Sequence, residues 1–469
     1  MNTASPPQAR NSIAITLILS TAIFAYSVLE AMLVPALPAL QKAVGASTEE
    51  IVWVFTGLLL AGAVTTPIVG RLVDVTDKRR VLIGTLFVLC AGVALAATAS
   101  SVWMLAVGQA LQGVGLGLAP LAFAVLRDTQ PAERLKTANG LIIGLSGLGS
   151  SLGLLFSGWL IERLPYTWLY WIPLFALLAM LVAAMALVPS LPSKTSGKVD
   201  WAGGALLALT LVSILLGLTF APSHGWLSFR ALGLIGAGVV LLAVFVIVEL
   251  RVEHPLVDLR LVHNRAVMLT CVISFVVGFG TFAIFVQLPM LARLPSSTGY
   301  GLDATTLTVG LLLMPLGVLG TISAPLAGKA EEWLGARSVM AVGTALIASS
   351  CLILVFATDF KAVFYISSGV AGIGIGLALT QSMNIVVCSV PPEQTGSISS
   401  TAFVLRNVGG TLGGQVGAGI LASDLIPNTP VPTWAAFETS FYICAAVGAV
   451  ALVLSLALPA RNRQQLGAA

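Results

Sequence analysis

The chain has 469 residues, of which 57% are hydrophobic and only 9% are charged. A water-soluble protein of this length could not keep so much apolar surface away from solvent, so a soluble globular fold is excluded. Apolar runs of about 20 residues recur from end to end, and each can cross a bilayer as a helix. The runs do not alternate as the strands of a membrane barrel do. The sequence therefore predicts an all-α polytopic membrane protein.

The net charge of +4 does not indicate a nucleic-acid partner, because the basic residues are spread over short loops and form no aromatic-rich patch. The five cysteines lie in or at the ends of apolar runs without paired spacing, which favours packing roles over a metal site or a disulfide. The three histidines lie in predicted loops and are spaced for no metal. No resident metal or cofactor is expected. These residues are Cys90, Cys271, Cys351, Cys388, Cys444, His224, His254 and His263.

Fourteen candidate spans follow one another along the chain. They lie near residues 13–37, 50–69, 81–99, 102–126, 137–160, 168–188, 202–221, 231–250, 266–290, 305–327, 338–357, 362–387, 397–422 and 438–458. Seventeen of the 23 Lys and Arg residues fall on the side of the N-terminus and five on the other side. Because basic residues concentrate in cytoplasmic loops, this bias predicts a plasma- or inner-membrane protein with both termini in the cytoplasm.

The loop between spans 2 and 3, residues 70–80, concentrates two acids and four bases in eleven residues. A looser copy follows at residues 328–337, with Glu332 at an offset of 258 from Asp74. Glycine pairs 149/153 and 409/413 also match, at an offset of 260. Spans 1–6 therefore repeat as spans 9–14, with spans 7 and 8 inserted. This predicts a six-helix unit at 1–190, an inserted pair with linkers at 191–265 and a second six-helix unit at 266–469, an arrangement typical of transporters.

The charged loop resembles the signature of the major facilitator superfamily, Gly-x-Leu-x-Asp-x-x-Gly-Arg-Arg/Lys. The sequence carries it at Gly70, Leu72, Asp74, Lys78 and Arg79, with Asp77 where a second glycine is usual. Spans 2 and 6 begin with the Trp-led segments 53–56 and 168–173, as in that family. Span 4 has Gln109 where the family pattern has Arg, and the span 5 motif has Leu154 and Ser157 where Pro and Gly are usual.

Taken over the whole chain, the sequence is similar to the fourteen-span drug:proton antiporters of that superfamily. The resemblance implies two six-helix bundles plus two inserted helices. It also implies alternating-access transport of a small molecule, with the proton gradient as the energy source and no other cofactor.

Two charged residues lie well inside predicted spans, Glu30 in span 1 and Arg406 in span 13. A charge near the centre of a bilayer helix costs at least about 2.5–3.5 kcal/mol, so each needs a reason. A carboxylate in a partly desolvated cavity can exchange protons at working pH, so Glu30 is the predicted proton carrier. The alternative is an acid hydrogen-bonded near the outer mouth with no coupling role.

Arg406 has three possible roles: contact with an anionic substrate, binding of backbone carbonyls between the halves, and charge balance with Glu30. Helical rise places the two residues at depths that differ by roughly 10 Å, which argues against a standing salt bridge. A structural or gating role for Arg406 is favoured.

Neutral polar side chains also lie within the spans. By the family resemblance, spans 1, 4, 9 and 12 line a central cavity, and amides among apolar side chains suit bulky, largely apolar ligands. Alternatively, these groups form hydrogen bonds between helices. The residues predicted to contact substrate are Gln109, Gln112, Gln287, Thr380, Gln381 and Asn384.

The charged loop and its copy are predicted to form a latch. Asp74 can accept hydrogen bonds from amides at a helix N-terminus, or from a basic partner in the other half, and so close the cytoplasmic side. The bases can also anchor the loop at lipid headgroups. The predicted latch residues are Gly70, Asp74, Lys78, Arg79, Glu332 and Arg337.

The favoured function is a proton-coupled secondary exporter of small amphipathic or apolar molecules such as drugs, antibiotics or metabolites. Its expected partners are the substrate, protons and the lipid bilayer, and it is expected to act as a monomer. An importer or facilitator of the same fold is the alternative. A polytopic membrane enzyme would need His, Asp or Ser clustered at one membrane face, which the sequence does not offer. The glycines at 113–117 form no nucleotide loop, because they lie within an apolar run.

Overall fold

A computed structural model describes residues 6–46, 48–193, 200–225, 228–252, 264–356, 361–391, 394–427, 429 and 431–459. These residues are helical except for short connections and one isolated bridge between Leu425 and Pro432. The α-helices are α1 (Pro6–Val44), α2 (Thr48–Val75), α3 (Lys78–Ala97), α4 (Val102–Gln112), α5 (Leu118–Thr129), α6 (Ala132–Arg163), α7 (Trp168–Leu187), α8 (Trp201–His224), α9 (Phe229–Arg251), α10 (Arg265–Arg293), α11 (Thr306–Leu334), α12 (Ala336–Val355), α13 (Lys361–Ser389), α14 (Thr395–Ser423) and α15 (Trp434–Leu456).

The 3₁₀ segment Gly113–Gly117 joins α4 to α5, so that Val102–Thr129 forms one span. Its glycines let neighbouring helices approach closely. A Cβ atom on Gly115 would lie 2.2 Å from the ring of Tyr26, and one on Gly113 would lie 2.7 Å from the backbone of Gly62. The segment is thus a packing surface, as predicted for small residues in membrane helices.

Short polar side chains mark the starts of several helices. Each accepts a hydrogen bond from a backbone amide in the first turn, which satisfies a donor that the helix itself cannot pair. This local chemistry sets the helix boundaries between apolar runs. The capping residues are Asp77 for α3, Ser101 for α4, Asp200 for α8, Ser228 for α9, Asn264 for α10, Thr305 for α11 and Thr433 for α15.

Within the described residues, 12 helical segments are long and apolar enough to cross a membrane. The chain is therefore a multi-pass membrane protein. The prediction of fourteen spans goes beyond this number, because the two further candidates fall on α8 and α14. The described apolar part of α8 is limited to Trp201–Ile214, and α14 is rich in Gly, Ser and Thr and carries Arg406.

The same helix pairings occur in both halves of the chain. In the first half α1 packs against α6, α2 against α4, and α3 against α7. In the second half the corresponding pairs are α10 with α14, α11 with α13, and α12 with α15. The inserted helices α8 and α9 pair with each other, and α8 also contacts α2 and α14. The predicted linkers on either side of this pair fall partly on residues 194–199 and 253–263, outside the described residues.

Two helix pairs make the most extensive contacts between the halves. They are α6 with α11 and α2 with α14, and each pair takes one helix from each half. There are further contacts of α6 with α13 and of α5 with α14. Along the α6–α11 contact, a Cβ atom on Gly140 would lie 2.4 Å from the carbonyl oxygen of Ala324, and one on Gly144 would lie 2.9 Å from Thr321. The two pairs frame the space in which the site described below lies.

The glycine pair 409/413, which matches 149/153 in the first half, packs closely against α10. A Cβ atom on Gly413 would lie 2.2 Å from the backbone oxygen of Phe279, whereas one on neighbouring Gly414 would lie 3.7 Å from Val286.

We expect Gly413→Ala to lower the melting temperature of the purified protein, because the added methyl group forces α10 and α14 apart. Overpacking of this kind lowers the free energy of unfolding by roughly 1–3 kcal/mol. Differential scanning fluorimetry in detergent measures this shift.

Gly414→Ala is the matched control. Its methyl group meets only ordinary van der Waals contact, and alanine is favoured over glycine in a helix by about 1 kcal/mol. A melting temperature for Gly413→Ala equal to that of Gly414→Ala would contradict the close packing of α10 on α14.

Candidate functional site

Asp74 joins the halves at the end of the bundle that carries the α2–α3 loop, here called the latch end. Its Oδ1 accepts a hydrogen bond from the amide of Gly396 at 2.8 Å, and its Oδ2 accepts one from the amide of Ser397 at 2.7 Å. Both amides belong to the first turn of α14, and Asp74 is only 2% exposed. A carboxylate at a helix N-terminus is favoured by the unpaired amides and by the helix dipole.

Gly70 allows this approach, because it lies one turn before Asp74 on the same face of α2. A Cβ atom at position 70 would lie 2.5 Å from Oγ of Ser400 and 2.7 Å from the carbonyl oxygen of Gly396. Any larger residue would push α14 away from the carboxylate. Gly70 is therefore required for the close contact between α2 and α14.

The equivalent contact in the other pair of helices joins Glu331 to Lys136. Oε1 of Glu331 lies 2.7 Å from Nζ of Lys136, and the Glu331 side chain is 7% exposed. Gly328 packs one turn earlier against Lys136, as Gly70 packs against Gly396. The predicted latch residue Glu332 is instead exposed, as is Arg337. The helix face corrects the sequence alignment by one residue, since Glu331 rather than Glu332 points toward α6.

Arg127 forms a third connection at the latch end. Its guanidinium donates to Oγ1 of Thr395 at 2.6 Å and to the carbonyl oxygen of Val390 at 2.8 Å. The side chain thus crosses from α5 to the segment between α13 and α14. The sequence alone did not single out Arg127 as a latch residue.

Lys78 and Arg79, predicted as latch residues, make contacts within the first half. Nζ of Lys78 lies 2.5 Å from Oδ2 of Asp128 on α5 and donates to the carbonyl oxygen of Ala124. Arg79 donates to the carbonyl oxygen of Met185 at the end of α7. These two bases hold α3 against its own half.

Asp77 replaces the second glycine of the signature and caps α3. Its carboxylate accepts hydrogen bonds from the amides of Arg79 and Leu191 and from the hydroxyl of Ser190. Partial burial alone would raise the pKa of Asp77, but the hydrogen bonds from Ser190, Leu191 and Arg79 outweigh it and hold the pKa below its usual value. The loop is thereby tied to the segment that follows α7.

A cavity of about 490 Å³ lies between the halves. Its wall is formed by α1, α5, α6, α10, α11, α13 and α14 and is mostly apolar. The cavity reaches Arg293, an exposed residue at the last position of α10, and so opens at the end opposite the latch end. The polar and aromatic residues on the wall are Glu30, Ser146, Ser150, Thr281, Phe285, Arg293, Phe403 and Arg406.

Glu30 and Arg406, the two predicted intramembrane charges, face this cavity from opposite halves. There is no ion pair between these two described residues, in agreement with the depth argument, although each lies within the field of the other. The guanidinium of Arg406 lies 4.8 Å over the ring of Phe403 and donates one long hydrogen bond, 3.5 Å, to Oδ1 of Asn407.

The predicted substrate-contacting residues lie elsewhere in this conformation. Gln109, Gln112, Gln287, Thr380, Gln381 and Asn384 are all buried, and none lies on the cavity wall. Gln109 donates to the hydroxyl of Tyr170, Gln112 to the carbonyl oxygen of Gly92, and Gln287 to Oγ of Ser440. Asn384 accepts a hydrogen bond from Asn139 of the other half. The helix rotation that creates these bonds turns the amides away from the cavity.

The cavity residues that sequence reasoning missed carry weak signals. Ser146, Ser150 and Thr281 are small hydroxyl residues within apolar runs, a pattern that occurs throughout this chain. Arg293 lies at a predicted helix end, where a base is ordinary. Only the contact between α6 and α11 brings the two serines to the cavity.

Comparison with known protein families shows the family to which the chain belongs. The sequence profile of the Major Facilitator Superfamily matches residues 19–414 and 335–468. The chain belongs to the major facilitator superfamily. Its described membrane helices pack as two similar halves with a cavity between them.

Several known proteins are similar to the chain in sequence. An uncharacterized MFS-type transporter of Mycobacterium tuberculosis is 27% identical over 394 residues, or 82% of this chain, but the match spans only 56% of that relative's length. A multidrug resistance protein B homolog of the same organism is 29% identical over 381 residues, covering 79% of this chain and 68% of the relative. The tetracenomycin C resistance and export protein of Streptomyces glaucescens is 26% identical, covering 85% and 73%.

A solved structure confirms the fold. The human organic anion transporter MFSD10 (TETRAN) superposes with a TM-score of 0.62 over 96% of this chain and 100% of that one, at 16% identity. At this identity the likeness concerns the fold alone. Family membership and transporter-named relatives point to a transporter rather than to an enzyme.

The first prediction from this site concerns closure of the latch end. Asp74→Asn removes the charge from two hydrogen bonds, each worth about 1.5–3 kcal/mol when one partner is charged. We expect the latch ends of the two halves to separate more often, by about tenfold or more. Spin labels at exposed Arg80 and Ser338, in a Cys388→Ser background, report this in pulsed EPR distance distributions.

Two further variants calibrate that measurement. Glu331→Gln should open the latch end less than Asp74→Asn, because the Lys136 side chain is 20% exposed and its ion pair is partly screened. Glu332→Gln removes an exposed acid on the next residue and should leave the distances unchanged. Equal distributions for Asp74→Asn and Glu332→Gln would refute the latch.

The second prediction concerns Asp77. Asp77→Gly, which restores the usual family residue, should lower the melting temperature at neutral pH, mainly because the hydrogen bonds to Ser190 and Leu191 are lost. The loss of the cap itself adds only a few tenths of a kcal/mol, roughly, because glycine is tolerated at this position. Because the folded-state pKa of Asp77 lies below its usual value, its stabilising effect is present above that value. The difference from wild type should shrink as the pH falls through the lowered pKa.

Thermal unfolding at a series of pH values tests this dependence. Asp77→Ser keeps a capping oxygen without the charge and should differ from wild type by a smaller amount. A difference between wild type and Asp77→Gly that stays constant into acid would show that the carboxylate charge contributes nothing.

Proposed function

We propose that this chain is a proton-coupled secondary exporter of small amphipathic or apolar molecules that works by alternating access. It would act as a fourteen-span drug:proton antiporter of the plasma or inner membrane, with both termini in the cytoplasm. The observation that carries the proposal is the cavity between the halves, which reaches the exposed residue Arg293 at one end and has the carboxylate of Glu30 on its described wall. At the other end, the contacts of Asp74, Glu331 and Arg127 hold the two halves together.

The size and composition of the cavity support a small organic substrate. Its volume of about 490 Å³ lies within the range of roughly 300–1,000 Å³ typical of small-molecule pockets. The wall combines aliphatic side chains with Phe285 and Phe403 and with a few hydroxyl groups. Such a surface accepts bulky apolar groups, while the hydroxyls and charges orient a polar end.

Closure at the latch end supports alternating access. The contacts of Asp74, Glu331 and Arg127 are few and polar, and they lie between rigid helix pairs rather than within one half. Breaking them would free the latch ends of α2 and α14 and of α6 and α11. The cavity would then open on that side as the opposite end closes, which is a rocking motion of two repeats around a central site.

Glu30 supports proton coupling. It is the carboxylate on the described cavity wall, and it lies on α1, which packs against the interface helix α6. Glu30 cannot bind a proton and the charged group of a substrate at the same time. The two would therefore compete for this carboxylate. Glu30 would be protonated after the substrate has been released, and would lose the proton before the next substrate binds.

The names of two relatives support export. One is called a resistance and export protein and another a multidrug resistance protein homolog. Because the relative named for export is 26% identical over 85% of this chain, export is the direction proposed here.

The two extra spans would be α8 and α14. A spanning helix need not be strongly apolar when other helices shield it from lipid, and α14 is surrounded by α2, α5, α8, α10 and α15. Helix α8 packs beside α2 and α14, where Leu207 and Leu211 meet Ala63 and Val404. It would cover the outer side of the contact between the halves.

Dye accumulation in cells tests this function. Cells that express the chain should accumulate less of at least one fluorescent amphipathic dye, from a set of ethidium, rhodamine B and Nile red, than cells without it. An uncoupler should abolish the difference. Glu30→Gln should raise accumulation to the level of cells without the chain, because it removes the proton carrier.

Glu133→Gln is the matched control, since it removes an exposed carboxylate at the start of α6, away from the cavity. It should keep wild-type accumulation. If Glu30→Gln cells also keep wild-type, uncoupler-sensitive accumulation, the coupling role of Glu30 is wrong. If no dye responds to the uncoupler in wild-type cells, proton-driven export of such molecules is wrong.

A further inference from the structure

Two opposite charges face one cavity without neutralising each other. Glu30 belongs to α1 of the first half and Arg406 to α14 of the second half, and both lie on the cavity wall. Among the described residues, Glu30 has no hydrogen-bond or ion-pair partner. A charged group at membrane depth is stable only when a partner or water compensates it. The cavity therefore offers two separate charges to whatever enters it.

Arg406 has unused hydrogen-bonding capacity. A guanidinium carries five N–H donors in a planar fork, but this one donates a single long hydrogen bond, to Asn407. Its Nε is buried and has no hydrogen-bond partner among the described residues. Phe403 supports the face of the guanidinium and leaves its edge available. A planar anionic group such as a carboxylate or a sulfonate fits this edge.

A ligand with one charge would satisfy only half of this arrangement. A cation that binds Glu30 would feel repulsion from Arg406, and an anion that binds Arg406 would feel repulsion from Glu30. A ligand that carries both charges would meet both residues, with its apolar body against Phe285, Phe403 and the aliphatic wall.

We propose that the cavity is a two-point site for zwitterionic amphiphiles, with a ligand ammonium at Glu30 and a ligand carboxylate or sulfonate at Arg406. This proposal rests on the proposed export function and names its substrate class. The bound zwitterion bridges α1 of one half and α14 of the other. Binding of the zwitterion therefore links the two halves, so it affects their relative movement as well as the selectivity of the site.

The site also dictates how pH acts on binding. The charged groups on the described wall are Glu30, Arg406 and, at the exposed mouth, Arg293. Tyr26, one turn before Glu30, is the further titratable group near it. Protonation of Glu30 removes the ammonium site and leaves Arg406 unopposed. Acidification therefore weakens binding of zwitterions and cations and strengthens binding of anions, which links proton uptake to release of a zwitterion.

A matched ligand series tests the two-point site. Octyltrimethylammonium, 1-octanesulfonate and octyldimethylammonio-propanesulfonate share one octyl chain and differ in the head group, which carries a positive charge, a negative charge or both. Isothermal titration of each ligand into the full chain in nanodiscs, below its micelle concentration and with empty nanodiscs subtracted, gives three affinities. We expect the zwitterion to bind at least about tenfold more tightly than either singly charged ligand, a difference of about 1.4 kcal/mol.

Variants of each charged residue should act on different ligands. Glu30→Gln should weaken the zwitterion and the cation but not the anion. Arg406→Gln should weaken the zwitterion and the anion but not the cation, and Arg406→Lys should recover part of the anion's affinity. Lys361→Gln, which removes an exposed base outside the cavity, should change none of the three.

The wild-type series decides the question even if a variant fails to fold. A cation or an anion that binds wild type as tightly as the zwitterion overturns the two-point site. So does a zwitterion affinity that rises on acidification. Failure of the export proposal gives a different result: the zwitterion binds selectively, but vesicles show no uncoupler-sensitive transport of it. If another dye is exported while the zwitterion does not bind, export stands and the zwitterion site is wrong.

Discussion

The arrangement of the two halves depends on a carboxylate placed at the start of a helix. Asp74 accepts hydrogen bonds from two amides that α14 cannot satisfy internally, and in doing so joins α2 to α14. The contact requires glycine at position 70 and again at position 396, where a Cβ atom would lie 2.5 Å from the backbone of α2. These contacts hold the halves together at the latch end, while the cavity between them reaches the exposed end of α10 at Arg293.

The duplication of the chain is exact in helix pairing but not in chemistry. One latch binds two backbone amides, and the other binds the side chain of Lys136, which occupies the position of Gly396 at an offset of 260. A lysine cannot bring its backbone to the acid as a glycine can, so the acid shifts from position 332 to position 331. Separation of α2 from α14 therefore breaks hydrogen bonds to backbone amides, whereas separation of α6 from α11 breaks an ion pair, although the two helix pairs are equivalent in the fold.

Three buried amides and the two intramembrane charges differ in their partners. The amides of Gln109, Gln112 and Gln287 bond to neighbouring helices and hold each half together, where hydrocarbon leaves a polar group no other partner. Glu30 and Arg406 are left without such partners and face the cavity. A group that is already bonded gains little from a ligand, so the charges rather than the amides offer binding and coupling.

The sequence by itself determined the membrane class, the helix positions, the internal duplication and the two intramembrane charges, because hydropathy, capping residues and the cost of charge in lipid act locally. It also indicated Asp74 from its signature loop. Only the tertiary structure decided which polar residues face the cavity, which acid meets Lys136, and that Arg127 crosses between the halves. Successive residues of an α-helix are rotated by about 100° around its axis. A shift of one position or a small rotation of the helix therefore changes which residue a side chain contacts, while the hydropathy pattern stays the same.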